Sequence, residues 1–120
     1  MANKLKHGQI CHIEIPAPDM KKARKFYEKL FGWKTGPEMG ETYCMFFDGA
    51  MGGGFDSTAK PSKKAVAIFI EVEDIEKKLK EITKAGGKVT MKKTEIGGGH
   101  GFCAYFEDVN GNRMGLHSMK

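Results

Sequence analysis

A chain of 120 residues, 40% hydrophobic and 29% charged, has the size and composition of one folded domain, which excludes a disordered chain. The net charge of +5 raises nucleic acid as a partner, but much of the excess falls on Lys21, Lys22, Arg24, Lys25 and Lys29 of one amphipathic segment. Such a run keeps a helix face wet, and no recognition motif accompanies it, so no nucleic-acid partner is expected. The longest apolar run, residues 65–70, is far shorter than the roughly 20 residues of a membrane helix. The first residues carry charge without an apolar core, so no membrane contact and a cytoplasmic location are expected.

In chain order, residues 10–15 alternate as a strand, with Cys11, Ile13 and Ile15 on one face and Ile10, His12 and Glu14 on the other. Pro16 and Pro18 end it, and Asp19 can cap a helix by accepting its free amide hydrogens. Ala23, Phe26, Tyr27, Leu30 and Phe31 then form one apolar stripe, and Gly32 supplies a left-handed stop. Three short strands follow, near residues 34–37, 42–48 and 52–56, and residues 57–64 form a linker. The order then repeats: a strand at 67–72, Asp74 as cap, a stripe of Ile75, Leu79, Ile82 and Ala85, and Gly86-Gly87 as stop. Strands near 88–93, 101–107 and 113–118 complete it, with an Asn110-Gly111 turn before the last. The three cysteines, Cys11, Cys44 and Cys103, lack metal or disulfide spacing and read as free thiols in apolar strands.

The repeat has a register. An offset of 55 places Ile13 on Ile68, Ile15 on Ile70, Asp19 on Asp74 and Gly32 on Gly87. An offset of 59 places Tyr43-Cys44-Met45-Phe46-Phe47-Asp48 on Phe102-Cys103-Ala104-Tyr105-Phe106-Glu107, with four extra residues in the second copy. The expected fold class is α+β: two βαβββ modules, 7–56 and 65–119, joined by the linker 57–64 within a single domain, 1–120. One helix hides only one side of a module's sheet. Pairing two modules would close their bare sides into an incomplete barrel with a cleft for a ligand.

The stretch from His12-Ile13-Glu14-Ile15-Pro16 through Phe26-Tyr27 to Leu30-Phe31-Gly32-Trp33 resembles the first module of the vicinal oxygen chelate superfamily. That superfamily holds glyoxalases, bleomycin-resistance proteins and extradiol dioxygenases. Residues 106–116 resemble its last hairpin, so the likeness spans nearly the whole chain. It implies a cleft metal in the members that use one, held by the first strand of each module and, in four-ligand members, the last strand of each. Carried onto this chain, the first-strand positions are His12 and Ala67, and the last-strand position of module 2 is Gly115. The fourth falls among Gly53, Gly54, Phe55 and Asp56. Ala67 and Gly115 cannot bind a metal, so no cofactor is expected. A rearranged site for nickel, zinc, manganese or iron, using His12 with Asp56 or His117, is the alternative.

Two functions follow. The first is a metal-free small-molecule binder of the bleomycin-resistance type, its ligand lined by His12, Glu14, Phe69, Glu71, Phe106 and His100. The second is a glyoxalase-like lyase, isomerase or dioxygenase with a non-standard metal set, in which Glu71 moves the proton. The resemblance also implies a homodimer. Trp33 is expected at a module edge, and Gly52-Gly53-Gly54 marks a bulge or a close backbone approach. The loop at 97–101 is expected to be mobile.

Overall fold

The computed structural model describes residue 7, residues 12–64 and residues 67–120. Ile10 and Cys11 of the first expected strand, and Ala65 and Val66, lie outside the described residues. The chain divides into two compact units, Met1–Lys60 and Pro61–Lys120.

The first unit runs β1 (Ile13–Pro16), α1 (Met20–Phe31), β2 (Lys34–Glu38), β3 (Tyr43–Phe47) and β4 (Gly52–Asp56). Its four-stranded sheet has the order β1-β4-β3-β2, with β1 parallel to β4 and the other pairs antiparallel. The edge position of β1 lets it include Pro16, which cannot donate to a ladder on both sides. The second unit repeats this with β5 (Ile68–Glu71), α2 (Ile75–Lys84), β6 (Lys88–Glu95), β7 (Phe102–Glu107) and β8 (Arg113–Ser118), in the order β5-β8-β7-β6.

The helices start alike. Asp19 accepts the Lys22 amide and Asp74 the Lys77 amide, each at 3.1 Å. They end differently. Gly32 takes the left-handed cap at φ 69°, but α2 is shorter, and the left-handed residue after it is Gly86 at φ 99°. Gly87, expected as the partner of Gly32, serves packing instead. A Cβ there would fall 2.6 Å from Ile82 Cγ2 and 3.0 Å from the Glu107 carbonyl oxygen.

The expected stripes are buried at Ala23, Phe26, Tyr27 and Leu30 on α1 and at Ile75, Leu79 and Ile82 on α2, while Phe31 and Ala85 at their ends are partly exposed. In the first unit Trp33 is buried, its ring 4.5 Å from Tyr27 and 4.7 Å from Phe46, and Phe55 closes the cluster 5.0 Å from Phe46. In the second the helix packs on Ala104, Phe106, Met114 and Leu116. Each such side chain removed from water contributes about 1.5–3 kcal/mol.

The sheet registers revise the repeat. Cys44 pairs with Phe55, and its counterpart opposite Leu116 is Ala104, so the β3 to β7 offset is 60 rather than 59. The turn 108–112 is one residue longer than 48–51, so the β4 to β8 offset becomes 61. A one-residue slip exchanges the two faces of a strand. Phe106 is therefore the counterpart of Phe46: it faces the helix, is fully buried, and does not line a ligand site.

Candidate functional site

On each sheet, strand alternation sends one set of side chains to the helix and the other to the opposite face. In the first unit that opposite face carries Glu14, Gly54, Asp56, Tyr43 and Met45, with His12 just before β1. Tyr43, not singled out from the sequence, joins the two expected residues. Its hydroxyl donates to Glu14 Oε2 at 3.0 Å and, its proton so used, accepts from His12 Nε2 at 2.7 Å. Burial first, then the Glu14 hydrogen bond and charge, push the phenol up to about 12. The ring reaches this position because residue 54 has no side chain: a Cβ there would lie 2.0 Å from Tyr43 Cζ and Oη. The alternation Tyr43-x-Met45 opposite a glycine is the signal that could have found it.

The second unit places Phe69 beside Gly115 and Glu71 beside His117 in the β5–β8 ladder. Phe69 lies over Gly115, where a Cβ would fall 2.4 Å from its ring, and remains 46% exposed. Tyr105 packs 5.5 Å from Phe69, with the Arg113 guanidinium 5.0 Å from the Tyr105 ring; sequence reasoning missed both. His117 Nδ1 meets Glu71 Oε1 at 2.6 Å, and Nε2 meets the His100 carbonyl oxygen at 2.8 Å. Two acceptors facing two ring nitrogens favour the doubly protonated imidazolium. The His100 carbonyl first, then Glu71, raise the His117 pKa above the ordinary imidazole value. His100 thus contributes its backbone. A shallow open depression next to Glu71 is lined by Val72, Glu73, Met119 and Lys120.

The expected metal positions can now be tested. The register makes Gly54, rather than Asp56, the counterpart of Gly115. Positions 12, 54, 67 and 115 therefore hold one donor, His12, with an aromatic ring against each glycine. The residues named for a rearranged set already have partners in their own units. Asp56 Oδ1 accepts from the Thr58 amide at 2.8 Å and hydroxyl at 2.6 Å, bonds that hold its carboxyl below the usual range. Both nitrogens of His117 are engaged. Among the described residues no group of three His, Cys, Asp or Glu side chains is arranged to hold a metal ion. The donor set does not fit the four-ligand centre.

Solved structures share the fold. A glyoxalase/bleomycin resistance protein/dioxygenase family enzyme from Burkholderia phytofirmans PsJN superposes with a TM-score of 0.76 at 15% identity, covering 91% of this chain and 97% of that one. The fosfomycin resistance protein FosX from Listeria monocytogenes, an E126Q mutant complexed with Mn(II) and 1S,2S-dihydroxypropylphosphonic acid, gives 0.78 at 14% identity, covering 94% and 93%. In sequence, a glyoxylase-like domain-containing protein of Didymella fabae is 35% identical over 115 residues, 88% of this chain and 90% of its own length. The profile of the Glyoxalase/Bleomycin resistance protein/Dioxygenase superfamily matches residues 9–116, and the chain belongs to that superfamily.

Proposed function

We propose that the protein binds a small molecule, of the bleomycin-resistance type, without the metal centre used by other members of its superfamily. One observation carries the reading. Two positions that the resemblance implies for metal ligands are glycines, and the rings of Tyr43 and Phe69 occupy the space beside them. In the second unit an exposed Phe69 backed by Tyr105 offers apolar, aromatic contact, with Glu71 two residues further along β5, and the first unit by itself offers the hydrogen-bonding groups of His12, Glu14 and Tyr43. The proposal includes a homodimer acting in the cytoplasm, with light scattering expected to report the mass of two chains.

The test is metal content and ligand response together. Protein expressed with added manganese, nickel, zinc and iron and then desalted is expected to retain substoichiometric metal. A panel of neutral aromatic compounds is expected to include members that raise its melting temperature, by about 2.7 kcal/mol of stabilisation at a hundredfold excess over Kd. Phe69→Ala should weaken that response. Stoichiometric metal that His12→Ala abolishes would overturn the reading.

A further inference from the structure

The loop between β6 and β7 is built almost wholly from backbone that only glycine adopts readily. Gly97, Gly98, Gly99 and Gly101 have φ of 91°, 62°, 76° and 87°. Such a segment loses much conformational entropy on ordering and brings few side-chain contacts to offset it. Two backbone hydrogen bonds close it, from the Ile96 amide to the Gly101 carbonyl at 2.9 Å and from the His100 amide to the Gly97 carbonyl at 3.2 Å. The third tie comes from His117 on β8, whose Nε2 holds the His100 carbonyl while Nδ1 holds Glu71 of β5. The loop's end lies close against β8: a Cβ at Gly101 would fall 2.3 Å from the Ser118 carbonyl oxygen and 3.2 Å from His117 Nε2.

We infer that His117 is a proton-controlled latch, its imidazolium tying the loop 97–101 to Glu71 through the His100 carbonyl, and the loss of one ring proton freeing the loop. Both partners are acceptors, so both bonds need an N–H, and a neutral imidazole has only one. The carboxylate is the stronger acceptor and keeps the proton on Nδ1. The proton on Nε2 goes to solvent, leaving a nitrogen lone pair facing the carbonyl oxygen. The titratable groups around the ring are Glu71 from β5, His100 in the loop, and Cys103, its ladder partner on β7. Glu73 and Lys120 border the depression beside Glu71. Since the folded pKa is raised, the latch is closed below the ordinary imidazole value and opens as pH rises through the raised one.

The experiment follows the His117 ring nitrogens by NMR across pH, together with amide exchange at Ile96 and His100. Exchange is corrected for base catalysis and referenced to Cys44 and Phe46 on β3. Protection at the two loop amides is expected to fall by about tenfold, the scale of one hydrogen bond to a charged group, at the midpoint of the His117 titration. Glu71→Gln, at an exposed position, should lower both midpoints together. His117→Gln, which keeps a donor but cannot titrate, should show no step. A loop whose protection stays flat through the His117 titration, or midpoints that separate in Glu71→Gln, would overturn the latch. The Glu71→Gln pair of midpoints decides the question even if His117→Gln fails to fold. Neither outcome depends on whether the protein binds a small molecule.

Discussion

The two units reach one topology with different chemistry. The first packs its helix on a stack of rings, Tyr27, Trp33, Phe46 and Phe55, whereas the second uses Ile75, Leu79, Ile82, Met114 and Leu116 with the single ring of Phe106. What they share is an aspartate cap, a glycine at the helix end, a parallel first–last strand pair and a glycine on the last strand facing away from the helix. Fold thus follows from pattern and punctuation, with core identity free to vary so long as volume is filled. The faces away from the helices diverge further. Tyr43 of β3 covers Gly54, but Phe69 of β5 covers Gly115, and the counterpart of Asp56 is His117. One topology thus carries two different side-chain arrangements.

The largest effect tests whether Phe106 and Phe46 are counterparts. Phe106→Ala and Phe46→Ala should each cost about 3–5 kcal/mol in denaturant unfolding, because each leaves a cavity against a helix. Phe69→Ala, on the exposed face, should cost about 1 kcal/mol or less. A mild Phe106→Ala beside a severe Phe69→Ala would reverse the assigned faces of the second sheet.

Helices, caps and the chain order of the elements were legible because they rest on periodicity and on Asp19, Asp74 and Gly32, whose signals are local, and the superfamily was legible from the resemblance of residues 12–33 and 106–116. The register of β7 was not. Cys44 and Cys103 invite alignment by identity, but spatial equivalence is set by ladder bonds and by a turn one residue longer, and a slip of one residue exchanges core and surface. The same limit hid Tyr43 and Tyr105. Composition makes an aromatic in a strand a core residue by default, and only the facing glycine or neighbouring ring shows which way it points. His12, Glu14, Glu71 and His117 were legible as polar residues on a strand face, although their partners were not.

A glycine series sharpens the comparison at intermediate scale. Gly53→Ala should be the most damaging, by about 3 kcal/mol, because its Cβ would lie 2.0 Å from the Ile13 carbonyl oxygen, backbone that cannot move aside. Gly54→Ala should cost about 1–3 kcal/mol and displace Tyr43, a ring tied by hydrogen bonds to Glu14 and His12. Gly115→Ala should cost least, about 1 kcal/mol, since the exposed Phe69 ring can swing outward. Thermal unfolding of the three variants gives the order, and Gly115→Ala as the worst would mean that the second unit's ring is the firmly held one.

The smallest effect is also the most specific to the first unit. The Tyr43 hydroxyl bridges a carboxylate and an imidazole. Tyr43→Phe should cost only about 0.5–1 kcal/mol near neutrality, the worth of a partly exposed hydrogen bond. The pH dependence carries the information. With the folded phenol raised from 10.0 to about 12, its contribution is complete below the ordinary value and disappears as pH climbs through the raised one. Ultraviolet titration of the folded protein should therefore show one phenolate appearing near the top of that range, a step that Tyr43→Phe removes. Glu14→Gln should bring that step down, because it takes away the charge while leaving burial in place. If Tyr43 ionised with an unshifted phenol, its hydroxyl would not be donating to Glu14, and the contrast between a hydrogen-bonded ring over Gly54 and an unbonded ring over Gly115 would fail.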